Sequence, residues 1–116
     1  MHEFAVTREL VRIVVEEATA AGAVRVDEVK VVLGRLRGFR PECIEHYYTH
    51  MAKGTVAEGA SLTFEEIPAA FRCEQCGHRF ELEEAAFCCP ACGSISLDVE
   101  SGNEFYISSL EADIPG

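Results

Sequence analysis

Four cysteines fall in two pairs of equal spacing, Cys73 and Cys76 in CEQC and Cys89 and Cys92 in CPAC. A C-x-x-C step holds two thiolates on one tight turn. Two such turns brought together supply four soft sulfur donors in a tetrahedron, a set that suits Zn²⁺. Twelve residues separate the pairs, a little fewer than the commonest ribbon spacing, so the pattern predicts a short zinc hairpin. Gly77 and Gly93 each follow a second cysteine, where the backbone must turn back with positive φ. Pro90 stiffens the second knuckle. Two disulfides are the other use for four cysteines, but they need an oxidising compartment. The first ten residues are charged and helix-like, unlike a signal peptide.

Other candidate donors surround this set. Cys88 stands beside Cys89 and is either an alternative ligand or a half-buried thiol next to Phe87. Cys89 fits the ligand role better, since it alone forms a C-x-x-C with Cys92. His78 follows the first knuckle and is either a substitute ligand or a solvated turn residue. His46 and His50 lie at i, i+4, with Cys43 three residues before His46. That spacing can place two imidazoles on one helix face, although no carboxylate motif completes a site there.

The chain opens on Met1, His2 and Glu3. An α-amine, an imidazole and backbone amide nitrogens can supply nitrogen donors in one plane, the arrangement that Ni(II) or Cu(II) prefers. The first amides of a helix lack intrahelical acceptors and can be recruited. A bare dication there is opposed by the helix dipole, but deprotonated amides cancel its charge, and binding must then release protons.

The elements that position these residues can be read in order. Phe4, Val11, Val15 and Ala18 form an apolar stripe, widened by Val6, Leu10, Ile13 and Val14, and Gly22 closes that first helix. From Val26 to Leu33 the pattern is a strand, with Val29, Val31 and Leu33 on one face and Lys30 and Val32 on the other. Pro41 occupies the first position of a second helix that ends before Gly54, with Ile44, Tyr47, Tyr48 and Met51 as its buried stripe. Ser61 to Ile67 is a second strand, with Leu62 and Phe64 inward, and Pro68 stops it. After the cysteines, Ile95, Leu97 and Val99 alternate, Gly102-Asn103 turns, and Phe105 and Ile107 begin a last strand. The expected fold is α/β: two helices packed on a small mixed β-sheet, with the four-cysteine zinc-ribbon hairpin inserted between strands of that sheet. Residues 1–70 and 95–116 make one domain and residues 71–94 the zinc-binding one.

A chain of 116 residues suits one domain with at most a small satellite. No apolar run approaches the roughly 20 residues that span a bilayer, so the expected location is the cytoplasm, with no membrane partner. The formal net charge is −10. Nucleic-acid ribbons bind phosphates with clustered Lys and Arg, whereas the segment from Cys73 to Cys92 carries Glu74, Glu81, Glu83 and Glu84 against Arg79. Basic proteins and metal cations are the partners that this charge favours, and nucleic acid is disfavoured. There is no glycine-rich phosphate loop, nucleophile elbow or catalytic triad, so no enzyme is expected. A zinc-ribbon adaptor that docks other proteins through its acidic surface is the competing use of the same features.

Taken together, MHE opening a helix, the strand VKVVLGRL, GTVAEGA before a strand, FRCEQCGHRF, CPACGS and SGNEFYISSLE resemble the hydrogenase nickel-incorporation proteins of the HypA/HybF family. The resemblance runs nearly the full length. It implies a nickel metallochaperone with two sites: nickel at Met1, His2 and Glu3, and structural zinc at Cys73, Cys76, Cys89 and Cys92. It further implies delivery of Ni(II) to the [NiFe]-hydrogenase large subunit together with an accessory GTPase, and in some bacteria service to urease accessory proteins. A monomer or weak homodimer is expected. This chain departs from the pattern where some relatives carry a loop acid before the second helix: Arg40 and Pro41 stand there, with Glu42 the nearest carboxylate. Cys88 makes the second knuckle richer in thiols than the basic pattern.

Overall fold

A computed structural model describes residues 3–82 and 88–115. Met1 and His2, and with them most of the expected nickel site, lie outside the described residues, as do Glu83, Glu84 and Phe87 of the hairpin. The elements run α1 (Glu3–Ala20), β1 (Arg25–Gly34), a 3-10 turn (Arg35–Arg37), α2 (Pro41–Met51), β2 (Ser61–Ile67), β3 (Ala69–Cys73), β4 (Arg79–Leu82), β5 (Leu97–Ser101) and β6 (Phe105–Asp113). Two helices with small sheets and a four-cysteine cluster bear out the expected class. No helix among the described residues is long and apolar enough to cross a membrane.

The strands do not form one sheet with an insertion, however. They form two three-stranded sheets, ordered β2-β1-β6 and β4-β3-β5. Alternation in a sequence shows which residues share a face, but not which strand is the neighbour. The segment after the second knuckle pairs antiparallel with β3, placing Phe71 opposite Val99 and Cys73 opposite Leu97. On its other side β3 pairs antiparallel with β4, with Phe71 opposite Phe80. Ile95, expected in that strand, precedes it and is exposed.

The chain accordingly divides into two compact units: residues 1–31, 39–65 and 106–116, and residues 32–38 and 66–105. The cysteine-bearing unit is thus wider than residues 71–94, because β3, β4 and β5 have a sheet of their own.

The first unit is built on two amphipathic helices in contact. Leu10, Val11, Val14 and Ala18 of α1 are buried, as are Ile44 and Tyr48 of α2 and Val26, Val29 and Val31 of β1. Phe4 and Val15, expected in the α1 stripe, are not in this core. Thr7 and Glu3 occupy that side of the first turns instead, both buried, so the stripe is rotated toward polar residues at its start. Phe4 sets its ring edge-on against Tyr47, with centroids 5.4 Å apart. The Tyr48 hydroxyl donates to the Ala57 carbonyl at 3.0 Å, so its buried polar tip is satisfied.

The second unit starts where β1 ends. Val32 and Leu33 are both buried there, although they point to opposite faces, so this end of the strand is covered on both sides. Gly34 donates its N–H to the Glu104 carbonyl at 2.7 Å and Leu36 donates to the Gly102 carbonyl at 2.8 Å. This approach is too close for any side chain: a Cβ on Gly34 would lie 2.1 Å from the Gly102 oxygen.

Candidate metal centre

Each knuckle is fixed by the same pair of backbone hydrogen bonds. In the first, Gly77 N–H donates to the Cys73 carbonyl at 2.9 Å and Cys73 N–H to the His78 carbonyl at 2.9 Å. In the second, Gly93 N–H donates to the Cys89 carbonyl at 2.7 Å and Cys89 N–H to the Ser94 carbonyl at 2.8 Å. The glycines close these turns at φ +77° and +79°, a region that L side chains resist. Glu74 N–H donates to the Ser96 carbonyl at 2.9 Å, which ties the exit of the second knuckle to the first.

This geometry gathers the sulfurs of Cys73, Cys76, Cys89 and Cys92 within 4.8 Å of one another. Cys73 and Cys92 are 3.5 Å apart and Cys76 and Cys89 3.6 Å. Four sulfurs around zinc at about 2.3 Å stand about 3.8 Å apart in a regular tetrahedron, so the cluster fits that ion with little adjustment. The first cysteine of each pair is buried and the second exposed. One side of the tetrahedron thus faces the unit's interior and the other faces water.

Backbone amides tune the sulfurs. Ala91 N–H points at the Cys89 sulfur at 3.4 Å. Hydrogen bonds from the Cys76 and Gln75 amides and from neighbouring thiols outweigh burial at Cys73 and hold its thiol at about 6. At Cys92 the Ser94 amide pulls downward, but the Cys73 sulfur, burial and the other thiols prevail and push it up to about 12. Without a metal, the cluster therefore concentrates its negative charge at Cys73 and keeps Cys92 protonated. A cation is what allows four thiolates to share this space.

The neighbouring candidates separate from the cluster. Cys88 is exposed rather than half-buried, and it is not among the gathered sulfurs. His78 is an exposed turn residue whose ring stacks on Phe80 at 5.8 Å. Among the described residues the four cysteines are the one group of three or more donors, so Cys43 does not converge with His46 and His50.

At the start of α1, Glu3 is the described member of the expected nickel set. It is buried, and its carboxylate accepts the Arg40 N–H at 3.0 Å. Arg40 is the N-cap of α2 and has no side-chain cap. A glutamate at the third position of a helix often reaches back to its own N-cap amide; here a different helix supplies the carboxylate. Thr7 Oγ1 also donates to the Glu3 carbonyl. Sequence reasoning leaves Glu3's role open and misses this link, since nothing in a one-dimensional pattern pairs positions 3 and 40.

Comparison with known proteins places this arrangement. Residues 1–112 match the family described as hydrogenase/urease nickel incorporation, metallochaperone, HypA. The hydrogenase maturation factor HypA of Caldanaerobacter subterraneus subsp. tengcongensis is 42% identical over 114 residues, covering 97% of this chain and all of that one. The HypA of Dehalococcoides mccartyi is 37% identical over 113 residues, covering 97% of this chain and 95% of the other. The solution structure of the Ni metallochaperone HypA from Helicobacter pylori superposes with a TM-score of 0.69 over 99% of this chain and all of its own, at 21% identity, a likeness of fold. The chain belongs to the HypA family of hydrogenase/urease nickel-incorporation metallochaperones.

Proposed function

We propose that this protein carries Ni(II) at its N-terminus and hands it to the large subunit of a [NiFe]-hydrogenase during maturation, acting with an accessory GTPase in the cytoplasm. The observation that carries the reading is the family match, which begins at residue 1 and so includes Met1, His2 and Glu3. The Met1 α-amine, the His2 imidazole and backbone amides are the donors. Glu3 completes the set through its amide, while its carboxylate is engaged with the first amide of α2. Urease accessory proteins are partners on the same reading, because the family description names both enzymes. The protein acts without catalysis, as a monomer or weak homodimer. The unit of residues 1–31, 39–65 and 106–116 serves nickel. Residues 71–94 hold structural zinc on Cys73, Cys76, Cys89 and Cys92, whose mutual distances support that ion. Arg79, the base of the hairpin, is paired with Glu100 at 2.6 Å, which agrees with a surface that does not seek nucleic acid.

The test is a nickel titration of the untagged, zinc-loaded protein followed by absorption spectroscopy. His2→Ala abolishes tight nickel binding and leaves zinc content and fold unchanged. One residue added before Met1 displaces the amine from its chelate ring and weakens binding about as much. Tight stoichiometric binding that survives both changes would sink the N-terminal site and favour an acidic zinc-ribbon adaptor.

A further inference from the structure

The last two turns of α2 carry two histidines on one exposed stripe. His46 and His50 are both solvent-exposed, and their ring centroids are 4.8 Å apart with the planes at 75°. A metal held by one imidazole at about 2.0–2.1 Å lies about 3.2 Å from that ring's centre. Two rings sharing it at angles between roughly 90° and 109° then have centres about 4.5–5.2 Å apart. The observed separation falls inside that interval, so the two rings are spaced as a shared ion requires.

The rest of the helix supports this use. Ile44 and Tyr48 anchor its opposite side in the core, and the Tyr48 hydroxyl is tied to Ala57. The spacing of the two imidazoles is therefore set by a fixed backbone. His50 lies in the last turn, where the helix dipole attracts a cation, and the chain's net charge of −10 does the same at longer range. On the same stripe one turn earlier, Glu42 is engaged by Arg40 at 3.2 Å. With no third Cys, His, Asp or Glu donor closing around the pair among the described residues, water completes the coordination.

We propose that His46 and His50 form a third, weak surface site for a divalent first-row cation, Ni(II) among them. The site is independent of the N-terminal donors. Imidazole suits nickel, copper and zinc alike, so the site selects by availability rather than by identity. Joining two donors on one scaffold makes the second bond intramolecular, and the gain over a single histidine is on the order of a hundredfold. An ion held by two imidazoles and water keeps a weak ligand field, so Ni(II) bound there is paramagnetic. Planar nitrogen coordination at the N-terminus instead leaves it diamagnetic.

The experiment uses the full-length, zinc-loaded protein carrying His2→Ala, titrated with Ni(II) alone and followed by NMR. The expected result is selective broadening of the His46 and His50 ring signals at sub-stoichiometric metal. His46→Gln or His50→Gln lowers that affinity about a hundredfold, and the exposed positions leave the fold intact. Broadening centred elsewhere, or unchanged by both substitutions, overturns the site. The same titration with His2 present separates the two ideas. If the N-terminal site fails, its diamagnetic complex is missing while the α2 broadening persists; if the α2 site fails, the reverse is seen.

Discussion

The two compact units bury very different interiors. The first closes two helices and a strand over Leu10, Val11, Val14, Ala18, Val26, Val29, Val31, Ile44 and Tyr48. Among the described residues, the second buries Val32, Leu33, Ala69 and Phe71, and the other buried hydrophobic positions there are the ligand candidates Cys73 and Cys89. A segment with so small an apolar interior cannot offset the conformational entropy of its own ordering. Metal coordination provides what the side chains do not, since a site absent from the unfolded chain converts binding energy into folding energy. Zinc here is a substitute for a core. The first unit holds itself together through packing, with no metal needed for its core.

Removing the metal should separate the units most widely. Cys73→Ser, or an excess of strong chelator, should abolish the dispersed NMR signals of residues 66–105 while those of α1 and α2 persist. Cys88→Ser should retain zinc, because that thiol lies outside the cluster. Loss of both units together, or zinc release from Cys88→Ser, would contradict the division. The pH dependence bears on the same contrast. Cys73, held at about 6 by the Cys76 and Gln75 amides, is already a thiolate at neutral pH and releases no proton when metal arrives. Cys92, at about 12, and Cys76, also raised, must give theirs up. Zinc loading should therefore acidify an unbuffered solution at pH 7. The affinity should rise with pH above neutrality and fall steeply once Cys73 protonates at about 6. Proton-independent loading between pH 6 and 8 would show that the cluster is already ionised.

A smaller effect should follow from crowding a tight backbone approach in the second unit. Gly34→Ala drives a methyl against the Gly102 carbonyl. With backbone on both sides there is no flexible side chain to yield, and the expected cost is about 3 kcal/mol. Equilibrium denaturation of the zinc-loaded protein measures it. A change under about 0.5 kcal/mol, the range of an ordinary surface substitution, would mean that these loops move apart easily.

The difference between the units is partly legible in the amino-acid sequence. Both cysteine pairs, their glycines and the acidic surface are local features, and spacing alone determines what a C-x-x-C-G turn can do. Helix α2 is legible from Pro41 to Gly54 for the same reason. Strand partnership is not. Leu97 and Val99 alternate like any strand, and nothing local says that they belong beside Phe71 and Cys73 rather than in the sheet with β1. Periodicity also misplaces the α1 stripe at its first turn, because it gives no place to a buried Glu3 and Thr7. A buried carboxylate is tolerable only with donors aimed at it, and the Arg40 amide that supplies one is 37 residues away in sequence.

That link leads to the finest test, within the unit that packing stabilises. If the Glu3 carboxylate chiefly holds the first amide of α2, Glu3→Gln keeps an oxygen acceptor at the same place and loses only the charge that strengthens the bond. Glu3→Ala removes the acceptor and leaves the Arg40 amide without that partner. The melting temperature should therefore fall slightly for Gln and further for Ala, both by less than for Gly34→Ala. Nickel binding reads out the other role. Should the carboxylate act by positioning and the amide by ligation, Glu3→Gln retains nearly full nickel affinity, because its backbone nitrogen is unchanged. Glu3→Ala then weakens nickel only to the extent that it loosens the start of α1 against α2. A loss of nickel from Glu3→Gln as complete as that from His2→Ala, with no change in melting temperature, would show instead that the carboxylate itself reaches the metal.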